Sequence, residues 1–230
     1  METQEISDLF PLFHNLNTET IEWLVSMADS DNYESEEVII AEDDCGKAIY
    51  FIVSGWVKLE NIYSEENVTL EIIGKGGCVG EAGILSTLNG NSRVIAISAV
   101  EVLSISAQRF LQILFRDSQI QNRFLKLMVS RVTEYQKYCQ FHRQTGKVRL
   151  ATVLISLADK YGEITEKGIK LYPFLRQDLA DLAQLTLEEC SQIMNKLEEK
   201  KVIYLKSNND IFYIFNIKQL HHIIGKLGNE

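Results

Sequence analysis

Proline is scarce in this 230-residue chain, two residues in all, and long apolar runs are missing. No stretch approaches the roughly 18 to 20 uninterrupted apolar residues of a spanning helix. The N-terminus, METQEISDLF, is acidic where a secretory signal is basic and then apolar, which predicts a soluble, cytoplasmic protein with no membrane partner. Cysteine is sparse too. Cys45, Cys78, Cys139 and Cys190 show no CxxC or other short spacing, which excludes a zinc knuckle, a local iron–sulfur loop and a secreted disulfide framework. The thiols are expected to be reduced. Histidine is confined to His14, His142, His221 and His222, so residues 37–106 offer no imidazole to a metal, and the adjacent pair on a helix would point about 100° apart. No nucleophile and base pair stands out. Neither catalysis nor a metal or other cofactor is expected. What remains is an ordinary globular composition, 46% apolar and 24% charged, sufficient for one or two domains.

Positive charge is also short, with a net balance of -9, but it is unevenly spread. Residues 1–142 carry 10 Lys/Arg against 21 Asp/Glu, whereas residues 143–230 carry 13 against 11. An acidic first part repels phosphate, so any DNA contact belongs to the C-terminal third.

Three kinds of pattern follow one another. Pro11 to Ala28 spaces Leu16, Ile21, Leu24, Val25 and Ala28 helically, with Asn17 or Thr18 able to cap, and predicts a short helix. From Glu37 to about Ser106, brief apolar runs (VIIA, AIYFIV, WVKLENIY, VTLEII, VIAIS, VEVLSIS) alternate with turns at Asp43-Asp44, Gly55, Ser64 to Asn67 and Gly74 to Gly77. That spacing predicts a small all-β barrel or sandwich. From Ala107 to about Arg143 helical spacing returns. Leu125, Met128, Val132, Tyr135, Cys139 and His142 form an a/d seam, as expected of a helix pairing with its own copy, until Thr145-Gly146 breaks the pattern. In a parallel pair the two Cys139 thiols would approach one another, making an intersubunit disulfide accessible to oxidation; the plainer alternative is a small core thiol.

Val148 to Tyr161 predicts an apolar helix, followed by a connector and the segment IKLYPF. A helix from about Gln177 to Ala183, a turn at Gln184-Leu185, and a capping box from Thr186 to Glu189 opening a second helix make a helix-turn-helix. Val202 to Leu205 and Ile211 to Phe215, around Ser207-Asn208-Asn209-Asp210, read as a hairpin wing.

In Ile49-Tyr50-Phe51-Ile52-Val53-Ser54-Gly55-Trp56-Val57, in Gly80-Glu81-Ala82-Gly83 and in Arg176-Gln177-Asp178-Leu179-Ala180-Asp181 through Leu197-Glu198, the chain resembles the bacterial cyclic-AMP receptor / fumarate-nitrate regulator family of transcription factors. The resemblance covers nearly the whole chain. It implies an α+β fold: a cyclic-nucleotide-binding-like β-barrel of jelly-roll type in residues 1–116, a dimerisation helix in 117–145 and a winged helix-turn-helix in 146–230. The implied function is a homodimeric, sequence-specific transcription regulator gated by a signal at the barrel. Double-stranded DNA, a second copy, a small-molecule effector and RNA polymerase are the partners the resemblance implies. The alternative is a sensor or scaffold that no longer engages DNA.

By the same resemblance, effector contacts fall at Gly80, Glu81, Ala82, Gly83, Arg93 and Tyr135. Cyclic-nucleotide binders of this family place an Arg about ten residues after Gly-Glu to neutralise the phosphate, while the Glu accepts from the ribose 2′-hydroxyl. Gly90 occupies that position here, and Arg93 comes late and is followed by Val94 and Ile95, so cyclic AMP is expected to bind weakly. Residues 1–44 lack the cysteines of the iron–sulfur branch, and Gly74 to Gly83 lacks the axial His of the haem branch. The DNA-facing set is Arg176, Gln177, Thr186, Glu188, Glu189, Ser191, Gln192, Asn195, Lys196 and Lys200. Gln192 suits adenine, and phosphate contacts are expected from Arg176, Lys196, Lys200, Lys201 and Lys206.

Overall fold

The acidic, turn-rich half of the sequence folds where its short apolar runs can be covered on both faces. The computed structural model describes residues 3–63, 67–86, 91–205 and 212–225, divided into two compact units, Met1–Thr133 and Glu134–Glu230. Among the described residues no helix is long and apolar enough to cross a membrane.

In the first unit, two helices, α1 (Thr3–Leu9) and α2 (Thr18–Ser26), flank a 3-10 turn at Pro11–Phe13. The single helix expected from Pro11 is therefore split. Pro11 opens only a tight turn, Asn15 has a left-handed φ of 53°, and Asn17 Oδ1 accepts from the Thr20 N–H at 2.7 Å to start α2 afresh. Eight strands follow: β1 (Asp29–Tyr33), β2 (Val38–Ile40), β3 (Ala48–Ser54), β4 (Trp56–Ile62), β5 (Asn67–Gly74), β6 (Cys78–Val79), β7 (Ser92–Ala96) and β8 (Val100–Ser106). They pair antiparallel as two four-stranded sheets, β1-β8-β3-β6 and β2-β7-β4-β5. Strand β1, DSDNY, has no apolar alternation; it forms because the outer edge of β8 offers it partners from Asp29↔Ser104 to Tyr33↔Val100.

Period-two geometry explains why AIYFIV is apolar throughout. Ile49, Phe51 and Val53 face a cluster with Phe10, Phe13, Phe110 and Phe124, whereas Ile52 faces Val57, Ile73, Val94 and Val102 inside the sandwich. The aromatic rings meet edge-on or tilted, Phe51 lying 5.4 Å from Phe10 and 4.9 Å from Phe13. A short helix, α3 (Glu81–Leu85), interrupts the strands, and α4 (Ala107–Arg116) and α5 (Ser118–Cys139) follow them. The boundary between the units falls inside α5.

The second unit contains α6 (Gly146–Tyr161), β9 (Glu163–Thr165), β10 (Gly168–Leu171), α7 (Arg176–Leu182), α8 (Leu187–Glu199), β11 (Ile203–Leu205), β12 (Phe212–Ile214) and α9 (Ile217–Gly225). Thr145-Gly146, expected to be a break, is the start of α6: Thr145 is its N-cap residue and Gly146 its first helical one. The wing is larger than a hairpin, a four-stranded sheet of order β11-β12-β10-β9. Lys206, Ile211 and the wing turn 207–210 lie outside the described residues, as do 64–66 and Gly90. Glu134, near the end of α5, accepts from Ser156 Oγ at 2.7 Å and from Tyr138 and pairs with Lys160, joining the last turns of α5 to α6.

Gly55 joins β3 to β4 at a φ of 84°, and an added Cβ would meet the Ala99 carbonyl oxygen. Gly55→Ala is expected to lower stability by about 1–3 kcal/mol from backbone strain alone, with the clash in addition. Urea unfolding measures this, and an unchanged midpoint would refute it.

Candidate functional site

The turn that ends β6 places Gly80 at a φ of 94°, and the chain then enters α3 with Glu81 at its first residue. Glu81 is 6% exposed. Its Oε1 pairs with Arg131 Nη1 from α5, and Arg131 Nη2 donates to the Cys78 carbonyl at 2.6 Å. Oε2 of the same carboxylate is buried with no hydrogen-bond partner among the described residues. Burial pushes the Glu81 pKa above the ordinary carboxylate value, Arg131 pulls it back, and the neighbouring Glu71 adds to the rise. Burial also pushes the adjacent Cys78 thiol up to about 12, which keeps it protonated.

Gly80, Glu81, Ala82, Gly83 and Arg93 do line one cavity, together with Cys45, Glu71, Arg131 and the apolar walls Ile40, Leu59, Ile73, Val79 and Val94. Its volume is about 70 Å³. Ligand pockets usually measure roughly 300–1,000 Å³, so this one is closed down. Arg93 does not pair with a surface carboxylate. Its partner, Glu60, is 5% exposed and accepts from Arg93 Nε at 3.1 Å, while Lys58 Nζ lies 2.7 Å from the other oxygen. Tyr135 lies past the unit boundary and is 41% exposed. Sequence reasoning missed Arg131 as a cavity residue; its only signal was a charge flanking the apolar seam, three residues after Met128 and four before Tyr135.

Along α5, Ile120 and Phe124 are buried and Met128 packs against the same core. The exposed apolar side carries Leu125, Val129 and Val132 at 58%, 65% and 56% exposure. Val129 is thus a stripe residue that the heptad numbering passed over. Cys139 ends the helix and is exposed. His142, the last seam position expected, lies beyond the helix in a 3-10 turn at Phe141–Arg143.

In the second unit the helix-turn-helix forms from α7 and α8. Gln184, with a φ of 52°, makes the turn, and Thr186 and Glu189 form the complete capping box. The Glu189 carboxylate is engaged by that cap, accepting from the Thr186 N–H at 3.0 Å. Cys190, Met194 and Leu197 are buried and Ile193 half-buried. Burial raises the Cys190 pKa to about 11. Outward on α8 stand Glu188, Gln192 and Asn195, with Ser191 half-buried. Gln192 Nε2 donates to Glu188 Oε1 at 3.2 Å, and Gln177 Nε2 to Asp181 Oδ1 at 2.7 Å. Lys196 and Lys200 line a cleft of about 400 Å³ with Lys147, a cation the sequence reading did not select. Arg176 is held by side chains of α8. Among the described residues no group of His, Cys, Asp and Glu is placed to hold a metal.

Comparison with known proteins agrees with both halves. Residues 30–117 match the cyclic nucleotide-binding domain family, and residues 148–223 the Crp-like helix-turn-helix domain family. A cyclic AMP receptor protein of Thermus thermophilus is 24% identical over 85% of this chain and 88% of its own. A probable transcriptional regulator, flp, of Lacticaseibacillus casei is 28% identical over 84% and 87%. Among solved structures, FixK2 of Bradyrhizobium japonicum superposes with a TM-score of 0.73 at 20% identity over 85% of this chain and 96% of that one.

The buried ion pair yields a direct expectation. Arg131→Met strands the Glu81 charge and should cost about 3–5 kcal/mol at pH 7, and Arg131→Met combined with Glu81→Leu should recover most of it. Arg131 holds the Glu81 pKa down, so that pKa is higher still in the variant and this sets the sign of the pH effect: the loss is least at low pH, where Glu81 is protonated in both proteins, and grows as the pH rises through the wild-type pKa toward the variant's higher one. Urea titrations at several pH values would test this, and a single variant as stable as the wild type at pH 7 would refute it.

Proposed function

Because the chain belongs to the cyclic-AMP receptor / fumarate-nitrate regulator family of DNA-binding transcription regulators, we propose that it acts as a homodimer in the cytoplasm, gated by a signal at its β-sandwich. In this reading residues 1–116 receive the signal, 117–145 pair with a second copy, and 146–230 bind a two-fold symmetric DNA site near which the dimer meets RNA polymerase. The observation that carries the dimer is the stripe Leu125, Val129 and Val132, three large apolar side chains each more than half exposed on one side of a helix. Lys147, Lys196 and Lys200 supply phosphate contacts, and Glu188 and Gln192 read bases from the first two turns of α8.

Some relatives are named for cyclic AMP, but the cavity favours a different signal for this chain. A cyclic phosphate needs an uncommitted cation. Arg131 is paired with Glu81, Arg93 and Lys58 share Glu60 and Glu71 adds a further carboxylate to the lining, so no cation is in surplus, and the cavity would have to open severalfold to admit a nucleotide. Calorimetry should therefore show no cyclic AMP binding in the micromolar range. A micromolar Kd abolished by both Arg93→Ala and Glu81→Ala would overturn this part of the reading.

The dimer and its DNA binding are tested together. Wild-type protein should sediment as a dimer and enrich one palindromic site from a randomised duplex pool. Val129→Glu with Val132→Glu should sediment as a monomer and bind that site at least about 100-fold more weakly, since linked half-sites lose their effective concentration. Mild oxidation should give a covalent dimer that is lost in Cys139→Ser. A monomeric wild type, or no salt-dependent binding to any duplex, would sink the proposal.

A further inference from the structure

The guanidinium of Arg176 is turned toward protein. Nη1 donates to Asn195 Oδ1 at 2.9 Å and more weakly to the Ser191 carbonyl at 3.5 Å, and Nη2 lies 3.6 Å from Glu198 Oε2. The other Glu198 oxygen accepts from the Leu205 N–H at 3.1 Å, at the end of β11. One cation at the start of α7 thus braces α8 at three positions and, through Glu198, reaches the wing. Its charge is offset by that carboxylate, which weakens it as a partner for phosphate.

The pairing also settles which way the Asn195 amide faces. A guanidinium can only donate, so the Asn195 oxygen must be the atom turned to Arg176, and the amide NH2 is directed away from it. Asn195 is exposed and stands three residues after Gln192 and seven after Glu188, on the same side of the helix. An unconstrained Asn recognises adenine by using its oxygen and nitrogen together. With the oxygen engaged, two N–H donors remain to be presented.

We infer that Arg176 is a positioning residue for DNA reading: it holds Asn195 as a donor-only reader that selects a base edge presenting acceptors, guanine N7/O6 or thymine O4, over adenine. The inference rests on DNA binding by α8, and it reassigns Arg176 from the phosphate set.

The experiment measures affinity for the selected duplex, and for every single base-pair change in it, across a salt series. For the wild type, one position facing α8 should prefer guanine or thymine by about tenfold, and comparing the two bases there identifies which acceptor edge is read. Arg176→Met should reduce that preference to within about twofold and leave the slope of log affinity against log salt unchanged. Asn195→Ala should abolish the same preference, and the two changes together should do no more than either alone. Asn195→Asp keeps an acceptor facing Arg176 but has no donor to present; it should melt like the wild type and still lose the preference, which separates reading from folding. If Arg176→Met lowers the salt slope by about one while base preferences stay intact, Arg176 is a phosphate contact and the inference fails. If Asn195→Ala alters no base preference, it fails as well. Should the wild type bind no duplex at all, the regulator reading falls with it, an outcome distinct from the other two.

Discussion

A carboxylate buried to 6% exposure needs a cation or a proton, and Glu81 has taken Arg131. Much of the first unit follows from that demand. The left-handed Gly80 delivers Glu81 into the cavity, Arg131 must come from a helix laid over the sheet, and Ile120 and Phe124 bury the same side of that helix against the aromatic cluster. A second buried carboxylate, Glu60, absorbs Lys58 and Arg93 in the same way. With Glu71 also in the lining, three carboxylates (Glu60, Glu71 and Glu81) stand against three cations (Lys58, Arg93 and Arg131), so the cavity contains arginines but no surplus positive charge for a phosphate.

The same accounting of donors and acceptors sorts the polar residues of the DNA-binding module. Glu189 is engaged in the Thr186 cap, and Gln177 donates to Asp181 within α7. Gln192 and Glu188 hold one another at 3.2 Å, so a base that engages either must compete with or complete that bond. Lys147, Lys196 and Lys200 remain as exposed or cleft-lining cations. Basic residues around α8 are thus not equivalent: Arg176 is paired with side chains of that helix, and the lysines are exposed or line a cleft.

Legibility in the sequence followed the strength of the local signal. The capping box at Thr186, the apolar run 48–53 and the helical face of Val148–Tyr161 were readable because their patterns are short-range and strong. Strand β1 was not, since a polar pentapeptide becomes a strand only by pairing with β8. Strand β9, EIT, was hidden for the same reason: its partner β10 supplies the ladder. The heptad numbering found the exposed stripe of α5 but ran past the helix end at Cys139 to His142, and it passed over Val129 because a strict 3,4 spacing is narrower than the apolar face of a real helix.

Periodicity, turn chemistry and capping are properties of neighbouring residues, so the sequence by itself determined the succession of β-rich, helical and helix-turn-helix regions and the family. Polar partnership, whether ion pair or hydrogen bond, is not local. Arg93 reaches Glu60 across 33 residues, Arg131 reaches Glu81 across 50 and Arg176 reaches Asn195 across 19. Only the tertiary structure decided which cations are already neutralised and which way an amide faces, because an ion pair in a buried, weakly screened site is set by which side chains the packed fold brings within about 3 Å of each other.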